Sequence, residues 1–137
     1  LLDLSVAGTT ASPAAFIVKN VETISLRDGV GGTFNALGVE NAPTINVNSM
    51  VAGNTSTITN AALGSTIGLT GKGNLTVSYS GTTGTADTSK LSLAGVGATG
   101  AASAINVGTA NTVETVSINT TGTNVFSLDA GTGAAAD

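Results

Sequence analysis

Pairs of bulky apolar residues, separated by one small or polar residue, recur along the whole chain. Alternation of this kind is typical of a β-strand with one buried face. Segments rich in Gly, Asn and Thr separate the pairs and predict tight turns. The sequence therefore predicts many short strands and almost no helix. The pairs are Leu2/Leu4, Ile24/Leu26, Ile45/Val47, Ile67/Leu69, Leu75/Val77, Leu91/Leu93, Ile105/Val107, Val116/Ile118 and Phe126/Leu128.

The spacing of the pairs indicates how the strands are arranged. Leu4, Leu26, Val47 and Leu69 follow one another at steps of 22, 21 and 22 residues. Steps near 20 match one coil of a parallel β-solenoid, whereas shorter steps near 10 match successive faces of a flattened roll or the arms of a hairpin. We therefore predict an all-β fold, a parallel β-solenoid forming a single domain over residues 1–137. An antiparallel β-sandwich is the alternative.

One segment departs from the alternating pattern. At 12–16, Ser12 can cap a helix and Pro13 can take its first position, which predicts at most one helical turn. Residues 16–26 are equally consistent with a single long strand.

Composition narrows the functional classes. Hydrophobic residues make up 41% of the chain and charged residues 9%, which is the reverse of a disordered chain. Four basic side chains against eight acidic ones cannot form a patch that follows phosphates, so we expect no nucleic-acid partner. No apolar run is long enough to span a bilayer. The absence of Cys excludes disulfides and thiolate metal sites.

The start of the chain predicts a fragment or processed product of a larger secreted protein. It begins with Leu1 rather than Met, and residues 1–20 lack a basic start followed by an apolar stretch. Any export signal is therefore expected outside this sequence.

Two stretches nearly repeat each other, "NVETISL" at 20–26 and "TVETVSI" at 112–118, with a looser copy, "GVENAPTINV", at 38–47. A bend near Thr23 would turn the Val of the phrase inward and its Glu outward. The phrase then marks entry into a strand, with Val21 and Val113 at a corner and Glu22 and Glu114 as solvated carboxylates. The functional interpretation makes Glu22, Glu40 and Glu114 ligands for a cation or contacts to a neighbouring subunit.

These phrases, within Thr-, Ala-, Gly- and Asn-rich alternation without Cys, resemble the β-rich assembly region of surface-layer (S-layer) proteins of Gram-negative bacteria. They also resemble related repeat proteins exported by type I secretion. The resemblance covers most of residues 20–129. It implies a secreted protein of the cell surface that forms a homo-oligomeric lattice or filament, with calcium supporting folding and assembly.

The calcium-binding repeat G-G-x-G-x-D-x-U-x, in which adjacent turns supply oxygen ligands, is not matched. The nearest candidates for calcium ligands are acidic residues in Gly-rich turns. Each is also explained as a turn residue that accepts backbone N–H groups. The candidates are Asp28, Asp87, Asp129 and Asp137.

The absence of both His and Cys excludes catalytic triads and the usual zinc sites. A carboxylate-based glycoside hydrolase would need clustered acids, but the eight acids are dispersed. Arg27 adjoins Asp28, which predicts a local turn or ion pair, and Tyr79 shares the parity of a buried face. We therefore predict a non-catalytic, self-assembling structural module, with a cell-surface polysaccharide as a further partner. The alternative is a β-domain of a large adhesin that binds a glycan or host receptor.

Overall fold

The computed structural model describes residues 1–6, 17–41, 43–49, 51–108 and 113–130. Within these ranges the chain forms eleven β-strands and no helix. The strands are β1 Leu2–Val6, β2 Thr23–Asp28, β3 Thr33–Asn35, β4 Thr44–Ser49, β5 Thr55–Ala62, β6 Thr66–Gly71, β7 Asn74–Ser80, β8 Thr88–Ala94, β9 Ser103–Val107, β10 Thr115–Thr121 and β11 Phe126–Asp129.

The strands build two sheets that face each other. The first has the order β1-β2-β4-β6-β8-β10, and the second has the order β11-β9-β7-β5-β3. Neighbours in each sheet are parallel, and successive strands of the chain fall in opposite sheets from β2 onward. Each coil therefore contributes one strand to each sheet, giving a β-solenoid of about five turns. The predicted solenoid is confirmed, and the antiparallel sandwich is wrong.

The predicted spacing coincides with the register of the first sheet. Leu4 pairs with Leu26, Leu26 with Val47, and Val47 with Leu69. The shorter steps join the two faces of one coil, because β6 and β7 lie in different sheets, as do β10 and β11. They do not mark hairpins.

The core is a set of ladders between the two sheets. Each ladder stacks one inward residue from every coil, so that similar side chains lie above one another at the strand spacing of about 4.8 Å. The longest apolar ladder of the first sheet contains Leu2, Ile24, Ile45, Ile67, Leu91 and Ile118. Its four central members are at most 2% exposed. Burial of β-branched and aliphatic side chains is therefore the main stabilising contribution, since aromatic residues are scarce.

Asn residues make several of the corners. Asn20, Asn41 and Asn60 have positive φ angles of 57°, 70° and 55°, a conformation that Asn tolerates better than most residues. Asn20 interrupts the chain before β2, which begins only at Thr23, so the single strand predicted over 16–26 is wrong. The helical turn predicted at 12–16 lies outside the described residues. No helix in the described part of the chain has the length and apolarity to cross a membrane.

Candidate assembly edge and the acidic side chains

Asp28 ends β2 with its side chain inside the solenoid, where the residue is 3% exposed. Its Oδ1 accepts hydrogen bonds from the backbone N–H groups of Val30 and Gly31, at 3.2 and 2.8 Å. Its Oδ2 accepts hydrogen bonds from the N–H of Gly32 at 2.9 Å and the hydroxyl of Ser56 at 2.6 Å. The carboxylate therefore holds the turn between β2 and β3 and links it to β5.

The surroundings of Asp28 differ from those of a calcium ligand. Calcium requires six to eight oxygen ligands, whereas the groups around this carboxylate are N–H and O–H donors. A small cavity of about 10 Å³ lies beside Asp28 and Ser56, which is close to the least space that one water needs. The predicted role of Asp28 in calcium binding stays a prediction that its hydrogen bonds disfavour. Its predicted role in a local turn is confirmed.

Arg27 has a different partner from the one that its sequence neighbour suggests. Its guanidinium forms a bidentate ion pair with the carboxylate of Asp3 on the adjacent strand β1. An ion pair with Asp28 is therefore wrong, because adjacent residues of a strand point to opposite faces. The hydrogen bond and charge of Arg27 lower the pKa of Asp3. The hydrogen bond and charge of Asp3 raise the pKa of Arg27.

Asp87 and Glu114 come together from adjacent coils. The Asp87 N–H donates to Oε2 of Glu114 at 2.7 Å, and the Asp87 carbonyl accepts the N–H groups of Glu114 and Thr115. Oδ2 of Asp87 is buried without a hydrogen-bond partner among the described residues. Glu114 therefore positions the segment that leads into β8. Calcium binding by Asp87 stays a prediction.

The repeated phrase behaves as a corner. Val113 is buried and Val21 is half-buried against the core, whereas Glu22 is exposed at a bend of the chain. Glu40 in the looser copy is also exposed and forms an ion pair with Lys19 at 3.0 Å. The predicted inward Val and outward Glu are confirmed for Val21 and Glu22. Glu114 differs, because it is half-buried and bound to a neighbouring amide.

The two close copies of the phrase are not stacked position on position. The ladder that contains Ile24 ends at Ile118, two residues beyond Val116, which is the counterpart of Ile24 in the phrase. A shift of two residues preserves the inward and outward faces of a strand. The repetition therefore reflects a shared local role, entry into the first sheet after a bend, rather than a shared site.

The remaining predicted calcium ligands are not brought together. Asp129 is exposed on β11, and Asp137 lies outside the described residues. In the described part of the chain, no three residues of the types His, Cys, Asp and Glu form a group able to hold a metal ion.

Tyr79 lies on β7 and packs against the core, as its parity predicts. Its hydroxyl lies 2.6 Å from the hydroxyl of Ser89, the residue that follows the start of β8 in the opposite sheet. Burial raises the pKa of Tyr79, and the hydrogen bond with Ser89 opposes part of that shift. Tyr79 therefore ties the two sheets together within the solenoid.

The last described layer of the first sheet exposes part of its apolar side. Ile118 on β10 is 37% exposed, although its ladder neighbour Leu91 is only 2% exposed. Phe126 and Leu128 on β11 are half-buried at the same end of the molecule. Among the described residues β10 pairs with β8 alone, so one edge of β10 keeps its backbone groups unpaired within the described chain.

The edge strand β10 also lacks the charges that normally protect an edge. Its sequence TVSINTT contains no charged residue. Natural sheets block their edges with Lys, Pro, bulges or a covering element, because an open edge is a template for another strand. The spacing of the pairs predicted β10 as a strand but not as a terminal one. Its terminal place follows only from the order of all strands in the sheet.

No protein-family profile, no curated protein and no solved structure matches this chain.

Proposed function

We propose that this chain is a non-catalytic structural module that assembles with copies of itself into a lattice or filament at the cell surface, after secretion. The observation that carries the proposal is the edge of β10 that pairs with no other described strand, in an uncharged sequence with the partly exposed Ile118. The resemblance of residues 20–129 to surface-layer proteins and type I-secreted repeat proteins supports the same function.

The architecture suits a load-bearing role. Seven of the eleven described strands pair with a strand on either side, and the ladders of Ile, Leu and Val run through the layers of the first sheet. In such a stack each layer is stabilised mainly by its neighbours, so adding a further layer from another copy repeats an interface that already exists within the chain. The same geometry that folds the module would therefore join the copies.

The test compares two single substitutions that add the same charge. Asn119→Lys places a cation on the edge strand β10, whereas Thr70→Lys places one on the exposed face of β6 in the middle of the same sheet. Electron microscopy of the purified chain, with and without calcium, should show ordered sheets or fibres for the unsubstituted chain and for T70K. N119K should lose them, because a charge on an open edge opposes strand pairing.

Two results would contradict the proposal. One is a monodisperse chain under all conditions that binds a glycan array, which would favour the adhesin. The other is turnover of a polysaccharide. Binding of a cell-surface polysaccharide by the intact assemblies, by contrast, would extend the proposal to the predicted further partner.

We also propose calcium as a cofactor of assembly, following the same resemblance. The variant in which Glu22, Glu40 and Glu114 are all replaced by Gln tests those carboxylates by calorimetric titration with calcium. Unchanged calcium affinity would exclude them as ligands. A parallel titration of Asp87→Asn tests the carboxylate whose Oδ2 lacks a described partner.

A further inference from the structure

We propose that the outer edge of β10 pairs in parallel with the outer edge of β1 from a second copy, so that the solenoid continues from one copy into the next. This inference rests on the proposed function, because it names the two surfaces through which the copies would assemble.

Among the described strands, β1 and β10 are the opposite ends of the first sheet. Within the described ranges β1 pairs with β2 alone, and β10 pairs with β8 alone. All five strand pairs of this sheet are parallel. A second copy stacked along the solenoid axis in the same orientation therefore presents β1 to β10 in the direction that extends the sheet without a break.

The lengths and faces of the strands select one register. β1 has five residues and β10 has seven, so β1 fits wholly within β10 in three placements. A shift of one residue would turn every side chain to the wrong face. Only one placement brings the half-buried Leu2 and Leu4 of the second copy over the inward-facing residues of β10. Leu2 then lies opposite Val116, and Leu4 lies opposite the partly exposed Ile118.

Charge favours contact between the β10 edge of one copy and the β1 edge of another over contact between two β1 edges. The chosen register puts Asp3 of the second copy opposite Ser117, whose own register partner is Lys90. Lys90 is exposed and has no ion-pair partner among the described residues. Asp3 keeps its ion pair with Arg27 of its own copy, and Lys90 would lie on the same face about two strand spacings away, roughly 10 Å, as a second cation near that carboxylate. Contact between two β1 edges would instead bring two Asp3–Arg27 pairs together and would add no cation near either carboxylate.

The absence of Cys from the chain allows a direct test by engineered disulfides. In the proposed register Ser5 of one copy lies opposite Asn119 of the other, and both side chains are exposed. Neighbouring strands about 4.8 Å apart place such Cys pairs within disulfide range. Within one copy β1 and β10 are five strand spacings apart, about 24 Å, so no intramolecular disulfide can form.

The experiment mixes two full-length single variants that differ in mass by a tag, oxidises them under assembling conditions, and counts crosslinked species by mass spectrometry. Ser5→Cys mixed with Asn119→Cys should give the mixed dimer. Ser5→Cys mixed with Ser117→Cys or Thr121→Cys should give about tenfold less, because a two-residue shift moves the sulfurs out of range. Each variant oxidised alone reports contacts between like ends.

The outcomes separate this inference from the proposed function. Assemblies with a predominant S5C–N119C dimer support both. Assemblies whose crosslinks form mainly between like ends, in a shifted register, or not at all overturn this inference and leave the proposed function standing. A chain that remains monomeric in electron microscopy, with or without calcium, overturns both.

Discussion

The hydroxyl of Ser56 donates a hydrogen bond to Oδ2 of Asp28 across the interior of the solenoid, at 2.6 Å, and both residues are buried. The bond connects β2 of the first sheet with β5 of the second, 28 residues later in the chain. A charge inside so apolar a core is stable only because four donors surround it. Its removal is therefore expected to affect the whole fold.

Asp28→Asn should lower the free energy of unfolding by about 2 kcal/mol, because the new amide would direct its own N–H groups at N–H donors. Ser56→Ala should cost about 1 kcal/mol, since it removes one hydrogen bond and leaves three. Urea denaturation measures both. Asp3→Asn, at an exposed ion pair, is the control and should change stability little. Equal stability of D28N and the unsubstituted chain would refute this role of Asp28.

Two isoleucines of one ladder should respond differently to truncation. Ile67→Ala removes a side chain that is 0% exposed in a central layer and should cost about 3 kcal/mol. Ile118→Ala, at 37% exposure in the end layer, should cost about 1 kcal/mol in the isolated chain. Denaturant titrations at low protein concentration compare the pair. Equal losses would show that the end layer is already covered in the isolated chain.

Substitution of Gly97 and of Gly95 by Ala distinguishes the cost of backbone strain from the cost of a steric clash. Both have positive φ angles, 71° and 63°, so Ala at either position costs about 1 kcal/mol. A Cβ at Gly97 would also collide with the carbonyl oxygen of Val125, whereas a Cβ at Gly95 meets open space. Gly97→Ala should therefore lose about 2 kcal/mol more than Gly95→Ala in thermal or denaturant unfolding. Similar losses would mean that the 97–125 contact relaxes freely.

The partly buried hydroxyl of Tyr79 predicts a loss of stability in alkali. The pKa of Tyr79 in the folded chain lies above its value near 10 in the unfolded chain. As the pH rises, the unfolded chain therefore releases this proton first, so the stabilisation present below pH 10 is lost as the pH rises toward the folded pKa. Unfolding free energies measured at pH 8 and pH 11 should fall more for the unsubstituted chain than for Tyr79→Phe. A parallel decline in both would assign the effect to other groups, such as Lys.

The fold was largely predictable because, in a solenoid, the spacing of apolar residues along the sequence indicates which residues pair between successive coils. Leu4, Leu26, Val47 and Leu69 could be placed in one ladder from their spacing alone, and the structure pairs them in that order. Later coils are longer, from Ile67 to Leu91 and on to Ile118, and the simple period fails there because the extra residues enter the corners.

The surroundings of the acidic residues were much less predictable. Asp28 carries the same turn signature as a calcium ligand, and only its inward direction and the distant Ser56 reveal its structural role. The contact of Glu114 with the amide of Asp87 joins residues 27 positions apart that no local pattern relates. Such contacts depend on which coils lie next to each other and in which register. A single sequence does not show this.

The lengthening of successive coils has a mechanical consequence. Along the ladder from Ile24 to Ile118 the chain uses 21, 22, 24 and then 27 residues per coil, yet each coil raises the stack by the same strand spacing. The rise of the solenoid per coil is thus independent of the number of residues in that coil. Insertions at the corners would therefore widen the solenoid at its sides, while its rise per coil along the axis stayed constant.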